Sequence, residues 1–364
     1  MLTRLDDYPV HQTPEPLAHP ATGDRNFYDR YFFNGFSREG DVYFAVAMGL
    51  YPNRRVMDAS VSVVRDGTQH VLRASRLAPV ERSETRVGPI TVEVVEPLRT
   101  LRVHVAANRF GIEADLVFHA RTAPLEEPRF THRVNGRTLM DSTRLTQFGT
   151  WDGWLAAGGQ RIACDAARVL GVRDRSWGVR PIGEPEGGPP TLPQFFWLWS
   201  PVHFDDFCTH FDVNEDAEGR PWHAAGAIAQ PGVEGAVEPM LSVAHRVRWM
   251  PGTRRAAGAE ITLTPLRGEP RVVTLEPILT FQMRGLGYLD PEWGHGMWKG
   301  DDVVAGDAWR LAELDPMDPR HIHVQQLCRA RLGARQGLGV LEQLVIGPHA
   351  PSGFASILDP APGI

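Results

Sequence analysis

The sequence predicts an all-β protein built from two tandem antiparallel halves, each a barrel or sandwich with few short helices. Strand-like alternation recurs along the chain, hairpin signals join successive runs, and helical periodicity is sparse. The 36 glycines and 30 prolines supply turns between the runs. Because a chain of 364 residues is longer than a domain with a single hydrophobic core usually is, we expect two domains, at residues 1–180 and 181–364.

Alternation identifies the strands, and short turn dipeptides identify the connections between them. In GIEADLVFHA the apolar residues occupy every second position, which is the period of a strand. The runs flanking Asp66-Gly67 predict a hairpin, because this dipeptide favours the tight turns of antiparallel pairs. Two further hairpins are expected near Glu218-Gly219 and at Arg267-Gly268. The stretch RHIHVQQLCRARLGA fits either a helix or a strand.

The connection between the halves falls in a stretch rich in turn formers. The segment EPEGGPPTLP, at Glu184–Pro193, is a loop by composition. We therefore expect the boundary between about Trp154 and Gly187, with the halves joined near Asp174–Pro193.

Charge, hydropathy and cysteine content exclude several classes of protein. The 38 basic residues are outnumbered by 44 acidic ones and form no basic run, which argues against nucleic-acid binding. No apolar stretch has the length of a membrane-spanning helix, and the N-terminus lacks a secretory signal. The three cysteines, Cys164, Cys208 and Cys328, are odd in number and far apart. We expect a reduced, cytoplasmic protein, and leave a homodimer open.

No motif for a nucleotide, phosphate or catalytic metal occurs in a suitable context, so we expect no cofactor. The pair His321 and His323 has a spacing that can hold a metal on a strand, but the next acid is Glu342. We therefore predict no metal site.

An unusual density of charge surrounds a tryptophan in VRDRSWGVR, Val172–Arg180. This motif is one of four aromatic-glycine patterns in the chain, YDRYFFNGF, RDRSWGVR, FFWLWS and WGHGMWKGD. Together these patterns resemble the two-domain, lipocalin-like (calycin) family of AttH-like proteins and carotenoid 1,2-hydratase, also called hydroxyneurosporene synthase. The resemblance covers most of the chain and implies two lipocalin-like halves.

The resemblance also implies candidate catalytic residues. The family's hydratases carry a His-x-Trp pair at the central motif and a Tyr-x-Asp pair downstream. The matching positions here are Arg175-Ser176-Trp177 and His210-Phe211-Asp212. The tryptophan and the acid are kept, whereas both neighbouring positions differ. This pattern implies an acid-assisted reaction on a lipophilic molecule other than the family's carotenoid.

The strand around Asp212 supports two interpretations. His210 and Asp212 share one face of an extended strand, so both can reach one ligand if that face lines a cavity. Partial burial would then raise the pKa of Asp212 and leave a protonated acid. The alternative is a hydrated outer face. A shift of one residue in register would replace these candidates with Asp205 or Asp206.

The central motif supports two interpretations as well. In the first, Asp174 and Arg175 form a buried pair that positions a substrate group. Trp177 then forms the wall of the site, near Asp212, where its ring can stabilise a carbocation. In the second, Asp174 pairs with Arg173 or Arg180 in a salt-bridge cluster between the halves. Alternation places Asp174 and Trp177 on opposite faces unless a bulge intervenes.

Further aromatic and histidine residues are candidates for substrate binding. Trp197 and Trp199 belong to a cluster that favours the core, although its rings can also line an apolar cavity. His295 and Trp298 lie in a turn-rich stretch that predicts either a packed loop or a lid over a barrel mouth.

These observations predict a cofactor-independent lyase or isomerase, most plausibly a hydratase or dehydratase. The expected substrate is hydrophobic, such as a terpenoid, a steroid-like or a polycyclic molecule. Two alternatives stay open. One is a carrier that binds a lipophilic molecule without turning it over, and the other is a cyclase of the Diels–Alder type on the same fold.

Overall fold

A computed structural model describes residues 1–185 and 193–362. Residues 186–192 of the predicted loop at Glu184–Pro193 lie outside the described residues. The strands are β1 (Phe27–Ser37), β2 (Val42–Tyr51), β3 (Val56–Arg65), β4 (Thr68–Leu77), β5 (Arg86–Val87), β6 (Ile90–Glu96), β7 (Thr100–Val105), β8 (Glu113–Ala120), β9 (Leu125–Glu126), β10 (Phe130–Val134), β11 (Arg137–Ala157), β12 (Gln160–Cys164), β13 (Val169–Val179), β14 (Phe195–Trp199), β15 (Val202–Phe204), β16 (Cys208–Glu215), β17 (Pro221–Ala229), β18 (Val237–Trp249), β19 (Ala256–Pro265), β20 (Arg271–Gln282), β21 (Val303–Arg310), β22 (Val324–Leu332) and β23 (Arg335–Ile346).

The helical elements of the described chain are single 3-10 turns. They span Arg4–Asp7, Pro52–Arg54, Met283–Leu286, Leu311–Glu313, Pro319–His321 and Ala350–Ser352. No helix among the described residues is long and apolar enough to cross a membrane. The prediction of an all-β protein with few short helices is therefore confirmed.

The three predicted hairpins are present, as β3–β4, β16–β17 and β19–β20. In the first hairpin Asp66 and Gly67 both have positive φ, 48° and 71°, which is the backbone that a two-residue hairpin turn requires. The ambiguous stretch after Arg320 forms strand β22, between β20 and β23.

The strands form two sheets. The first is an open, half-barrel sheet in the order β21-β4-β3-β2-β1-β13-β11-β8-β7-β6-β5. The second closes on itself, because β17 pairs with both β16 and β18 while β14 pairs with both β16 and β23. The result is an eight-stranded barrel, with the short β15 beside β16 and β23.

One strand of the first sheet comes from the C-terminal half of the chain. Strand β21 pairs antiparallel with β4 from Val303↔Ser75 to Arg310↔Thr68 and so forms the edge of the first sheet. The sheets are thus not split strictly at residue 180, and the domain boundary there stays a prediction.

Three apolar clusters show how the two sheets are arranged. Phe33 and Phe44 belong to the core of the first sheet, whereas Phe211 and Val213 belong to the interior of the barrel. The third cluster combines residues of both sheets, with Val172 from β13 and the two tryptophans of β14 among them. We call this third cluster, and the polar groups around it, the interdomain layer.

Candidate functional site

Alternation along β13 and β16 places their polar residues in the interdomain layer. On β16, Phe211 points into the barrel, so Asp212 and His210 point outward from it, towards the first sheet. On β13, Asp174 shares a face with the interdomain residue Val172. The polar face of β16 is therefore outside the barrel, yet it is covered by the other half and not hydrated.

Five charged or imidazole side chains meet where the two sheets touch. We call Glu127, Arg144, His210, Asp212 and His223 the carboxylate cluster. The Nη2 atom of Arg144 lies 2.5 Å from Glu127 Oε2 and 2.6 Å from Asp212 Oδ2, so one guanidinium bridges two acids. The second oxygen of Glu127 accepts a hydrogen bond from Thr146 at 2.6 Å. The two acids and the two histidines are buried, Asp212 is fully shielded from solvent, and the Arg144 side chain is 13% exposed.

Imidazole and aromatic rings enclose the carboxylate cluster. Nε2 of His223 lies 3.3 Å from Asp212 Oδ1, and Nε2 of His210 lies 3.7 Å from Asp212 Oδ2. The His223 ring stacks on Phe130 with centroids 3.6 Å apart. The Arg144 guanidinium lies 4.8 Å from both the Phe130 and the Trp197 rings, which shields its charge from water.

The two acids of the cluster have opposite pKa shifts. Burial raises the pKa of Glu127 well above its usual range, and the neighbouring Asp212 carboxylate adds to the effect against Arg144. Burial also opposes ionisation of Asp212, but His210, His223 and Arg144 outweigh it and hold its pKa well below the usual range. The prediction of a raised pKa for Asp212 is therefore wrong, because these partners outweigh burial, and Glu127 is the acid of the pair whose pKa is raised.

The carboxylate cluster also has the spacing of a metal site. One ligand atom each from Glu127, Asp212 and His223 lie within 4.8 Å of one another. Arg144 already places a positive charge against both carboxylates. The guanidinium therefore takes the position in which a cation would neutralise this pair.

Asp174 is an acid without a bonded partner. No hydrogen bond or ion pair reaches its carboxyl group within the described ranges, and its side chain stays partly accessible. Burial nevertheless raises its pKa, while Arg144, Arg180 and Arg30 pull in the opposite direction. Asp174 is thus a partly accessible carboxyl group on the face of β13 that carries Val172 of the interdomain layer.

Tyrosine and arginine side chains lie next to Asp174 in the interdomain layer. The Arg180 guanidinium lies 4.5 Å from the ring centroid of Tyr28 and 5.8 Å from that of Tyr288. The Tyr288 ring packs edge-to-face on His295 at 4.1 Å. Nη1 of Arg30 donates to Nε2 of His295 at 2.6 Å, and burial together with the arginine charges lowers the pKa of His295 well below its usual range.

A hydrogen-bonded glutamate connects these side chains to the tryptophans. Glu342 Oε1 lies 2.7 Å from His323 Nε2 and accepts from Trp197 Nε1 at 3.2 Å. Its other oxygen accepts from Gln325 at 2.6 Å. Burial opposes its ionisation, but the His323 contact and the other donors lower the pKa of Glu342. We call the surface formed by Asp174, Arg144, Arg180, Tyr288, Trp197 and Glu342 the interdomain recess.

Several predicted site residues lie away from this recess. The register of β13 with β1 and β11 is continuous, so Trp177 and Arg175 face away from Asp174. Trp177 is 40% exposed, and Arg175 is bonded to Asp29 and stacked over the Tyr31 ring at 4.2 Å. The predictions that Trp177 lies beside Asp212 and that Arg175 pairs with Asp174 are therefore wrong.

Other candidates divide between the recess and the surface. Asp205 and Asp206, the alternatives to Asp212, are exposed in the turn before β16, and Trp298 is 47% exposed. Trp197 and Trp199 are buried in the interdomain layer, with the Arg144 guanidinium 4.8 Å and 5.9 Å from their rings. The structure thus places Asp174, His210, Asp212, His295 and both tryptophans of β14 in or beside the interdomain layer.

Sequence reasoning missed most of the partners of these residues. Glu127 follows the two-residue strand β9, and Arg144 lies within the long strand β11, so neither belongs to a recognisable motif. His223 lies one position from Trp222 in a strand that sequence analysis assigned only to a hairpin. The available signal was the alternation of β11 and β17, which places Arg144 and His223 on definite faces but not against each other.

Fold and site together define an all-β protein of two lipocalin-like halves with a polar recess between them. A family model matches residues 2–355, so the chain belongs to the family of unknown function DUF8625. No curated protein matches the chain.

Solved structures share the architecture at low sequence identity. Kievitone hydratase from Nectria haematococca is 12% identical, with a TM-score of 0.54 over 87% of this chain and 88% of that chain. An AttH protein from Nitrosomonas europaea is 13% identical, with a TM-score of 0.54 over 93% and 98% of the two chains. CghA is 10% identical, with a TM-score of 0.51 over 88% of each. The predicted resemblance to the AttH-like, lipocalin-like family is thereby confirmed for the fold.

Proposed function

We propose that this protein is a cofactor-independent lyase of the hydratase or dehydratase type, acting on a hydrophobic small molecule in the interdomain recess. The observation that carries the proposal is the carboxyl group of Asp174. It lies on an accessible wall, burial raises its pKa, and no described residue bonds to it. An acid with these properties is suited to donate a proton to a substrate.

The chemistry follows from the groups around Asp174. In hydration, its carboxyl proton is transferred to one carbon of an alkene and leaves a carbocation on the other. A water molecule adds to that carbocation and returns a proton to the carboxylate, so the acid is regenerated. General acid catalysis of this kind contributes about 10²–10⁴-fold.

The carboxylate cluster has a supporting role in this proposal. Asp212 and Glu127 are both bonded to Arg144, so neither carboxyl group is free to approach a substrate. They fix the guanidinium against the Trp197 ring. Arg144 in turn acts electrostatically on Asp174. We therefore assign Asp212 and His210 as positioning residues and Asp174 as the acid.

The structural comparisons support the choice of reaction class. A hydratase, kievitone hydratase, has the same two-half fold, and CghA, whose structure is also known with Sch210972, shares it. At sequence identities of 10–13%, these comparisons show a shared fold but not a shared activity. A cyclase of the Diels–Alder type is the second candidate, because the same acid can activate a carbonyl group by hydrogen bonding.

Turnover in heavy-oxygen water tests the proposal. The purified protein is incubated with a panel of terpenoid, steroid-like and polycyclic molecules together with kievitone, and products are analysed by mass spectrometry for incorporated label. We expect Asp174→Asn to lower turnover at least about 10²-fold, and Asp205→Asn, an exposed acid, to leave it unchanged.

The same experiment separates catalysis from carriage. Full activity in Asp174→Asn would overturn the assignment of the acid. Ligand retained in native mass spectrometry, with no labelled or rearranged product from any panel member, would instead favour a carrier of lipophilic molecules.

A further inference from the structure

Arg180 is a strong hydrogen-bond donor that has no acceptor among the described residues. It follows β13 directly, on the side of the interdomain recess. No carboxylate, carbonyl or hydroxyl oxygen of the described chain bonds to it, and its guanidinium lies over the ring faces of Tyr28 and Tyr288. A guanidinium carries five N–H donors in a planar fork. Ring faces hold its position but satisfy none of these donors.

The charges of the recess favour an additional anion. Arg30, Arg144 and Arg180 contribute three cations that act on Asp174. Asp212 and Glu342 supply two anions, since the pKa of each is lowered. Glu127, Asp174 and Asp58, the last of which also lies near Arg30 and Arg180, have raised pKa values and offset less positive charge. One more negative group would therefore be stabilised beside Arg180.

Apolar side chains pack around the tryptophans of this layer. Met140, Phe195 and Leu344 are partly buried and pack against the interdomain cluster that contains Trp197. A molecule bound there would contact aromatic and aliphatic groups along its length and a guanidinium at one end. This arrangement matches an amphipathic ligand with one acidic group.

We infer that Arg180 is the binding residue for an acidic oxygen group, a carboxylate or the anion of an acidic enol or phenol, carried by a hydrophobic substrate. The inference rests on the proposed function for the location of the substrate. It adds the chemical class, because a bidentate guanidinium selects a pair of oxygens that share a negative charge. Such an anion would also raise the pKa of Asp174 further, by repulsion of its carboxylate form.

A matched pair of ligands tests this inference. The probes are 1-naphthaleneacetate and its neutral isostere 1-naphthaleneacetamide, with dissociation constants measured by titration calorimetry. We expect the wild-type protein to bind the acetate at least about tenfold more tightly, a difference of about 1.4 kcal/mol. Arg180→Met should bind both probes equally, and Arg180→Lys should restore part of the preference.

A matched control separates binding from folding. Arg267 is exposed in a hairpin turn, and Arg267→Met should keep the full preference for the acetate. Circular dichroism of each variant confirms that its fold is intact. Because the readout is a ratio for two ligands of one shape, a general loss of packing does not mimic the expected result.

Three outcomes would overturn the inference. Equal affinity of the wild-type protein for the two probes would do so, as would a preference that survives in Arg180→Met. If neither probe binds, both the anion site and the hydrophobic binding surface around it are contradicted. Turnover that depends on Asp174 would still support the proposed reaction in the first two cases, so the two failures are distinguishable.

Discussion

Asp174 and Asp212 are two acids of one layer whose surroundings shift their pKa values in opposite directions. Asp212 has Arg144, His210 and His223 around its carboxylate, and these stabilise the anion. Asp174 has arginines near it but none bonded to it, so burial dominates. Arg144 bonds directly to Asp212, whereas no arginine among the described residues bonds to Asp174. This difference therefore decides which acid is available for proton transfer.

Replacing Asp174 should stabilise the protein while lowering its activity. In the folded state a raised pKa makes ionisation of Asp174 unfavourable, so its contribution to stability falls as pH rises from the ordinary value of 3.8 to the raised one. Asp174→Asn removes this penalty. We expect its melting temperature to match the wild type at low pH and to exceed it by a few degrees at neutral pH. A lower melting temperature at neutral pH would contradict this expectation.

Trp177 provides the contrasting case. Its ring is on the far side of the sheet from Asp174 and 40% exposed. We expect Trp177→Ala to change turnover less than about twofold and stability by no more than about 0.5 kcal/mol, as for exposed positions in general. Steady-state rates and urea unfolding measure both. A tenfold loss of turnover would place the ring in the site.

At the scale of elements, alternation predicted the strands well but not the surface that each face contacts. The β16 sequence correctly places His210 with Asp212 and opposite Phe211. Whether the polar face lined the barrel, faced water or met another sheet depended on the other half of the chain. Arg144 comes from a strand far away in sequence, so neither the ion pair nor its effect on the pKa of Asp212 was predictable.

The carboxylate cluster connects strands of the two sheets, since Arg144 belongs to β11 and Asp212 to β16. Arg144→Met should cost about 3–5 kcal/mol of unfolding free energy, because it leaves two acids buried without their cation. Arg129→Met is the matched control. Arg129 pairs with Asp141, but its side chain is 67% exposed, and we expect a cost below about 1 kcal/mol. Similar costs in urea unfolding would show that the cluster does not hold the sheets together.

Strand β13 tolerates no side chain at one central position. A Cβ atom on Gly171 would lie 2.3 Å from the indole nitrogen of Trp151 and 2.4 Å from the carbonyl oxygen of Asn34. We expect Gly171→Ala to destabilise the protein by about 1–3 kcal/mol through overpacking. Gly67→Ala would meet no neighbour and is strained only by its positive φ. An unchanged urea midpoint for Gly171→Ala would contradict the close approach.

At the scale of the whole molecule, a buried histidine links the halves and makes their association sensitive to acid. Nε2 of His203, on β15, donates to the Gly171 carbonyl oxygen at 3.1 Å, and Arg121 donates to its Nδ1 at 3.1 Å. Burial and the Arg121 charge lower its pKa from 6.5 to about 3. The folded protein therefore holds this imidazole neutral, whereas the unfolded chain protonates it below pH 6.5.

Stability should consequently fall as pH drops from about 6.5 towards 3. The loss attributable to His203 is at most about 5 kcal/mol. His203→Gln, which has no titrating group, should show a shallower decline in urea unfolding measured across this range. Parallel curves for the variant and the wild type would show that another group controls the acid response.

Strand β21 has a consequence for how the recess can be reached. The chain leaves the first sheet after β13, returns to it at Val303–Arg310, and leaves again for β22. Three connections therefore join the two halves. A hinge motion about a single linker cannot separate them. A ligand must enter by rearrangement of side chains and loops at the rim.

Because β21 covers the edge of β4, residues 1–180 expressed alone should aggregate through that exposed edge. Fusing the segment 303–310 to that fragment should restore its solubility.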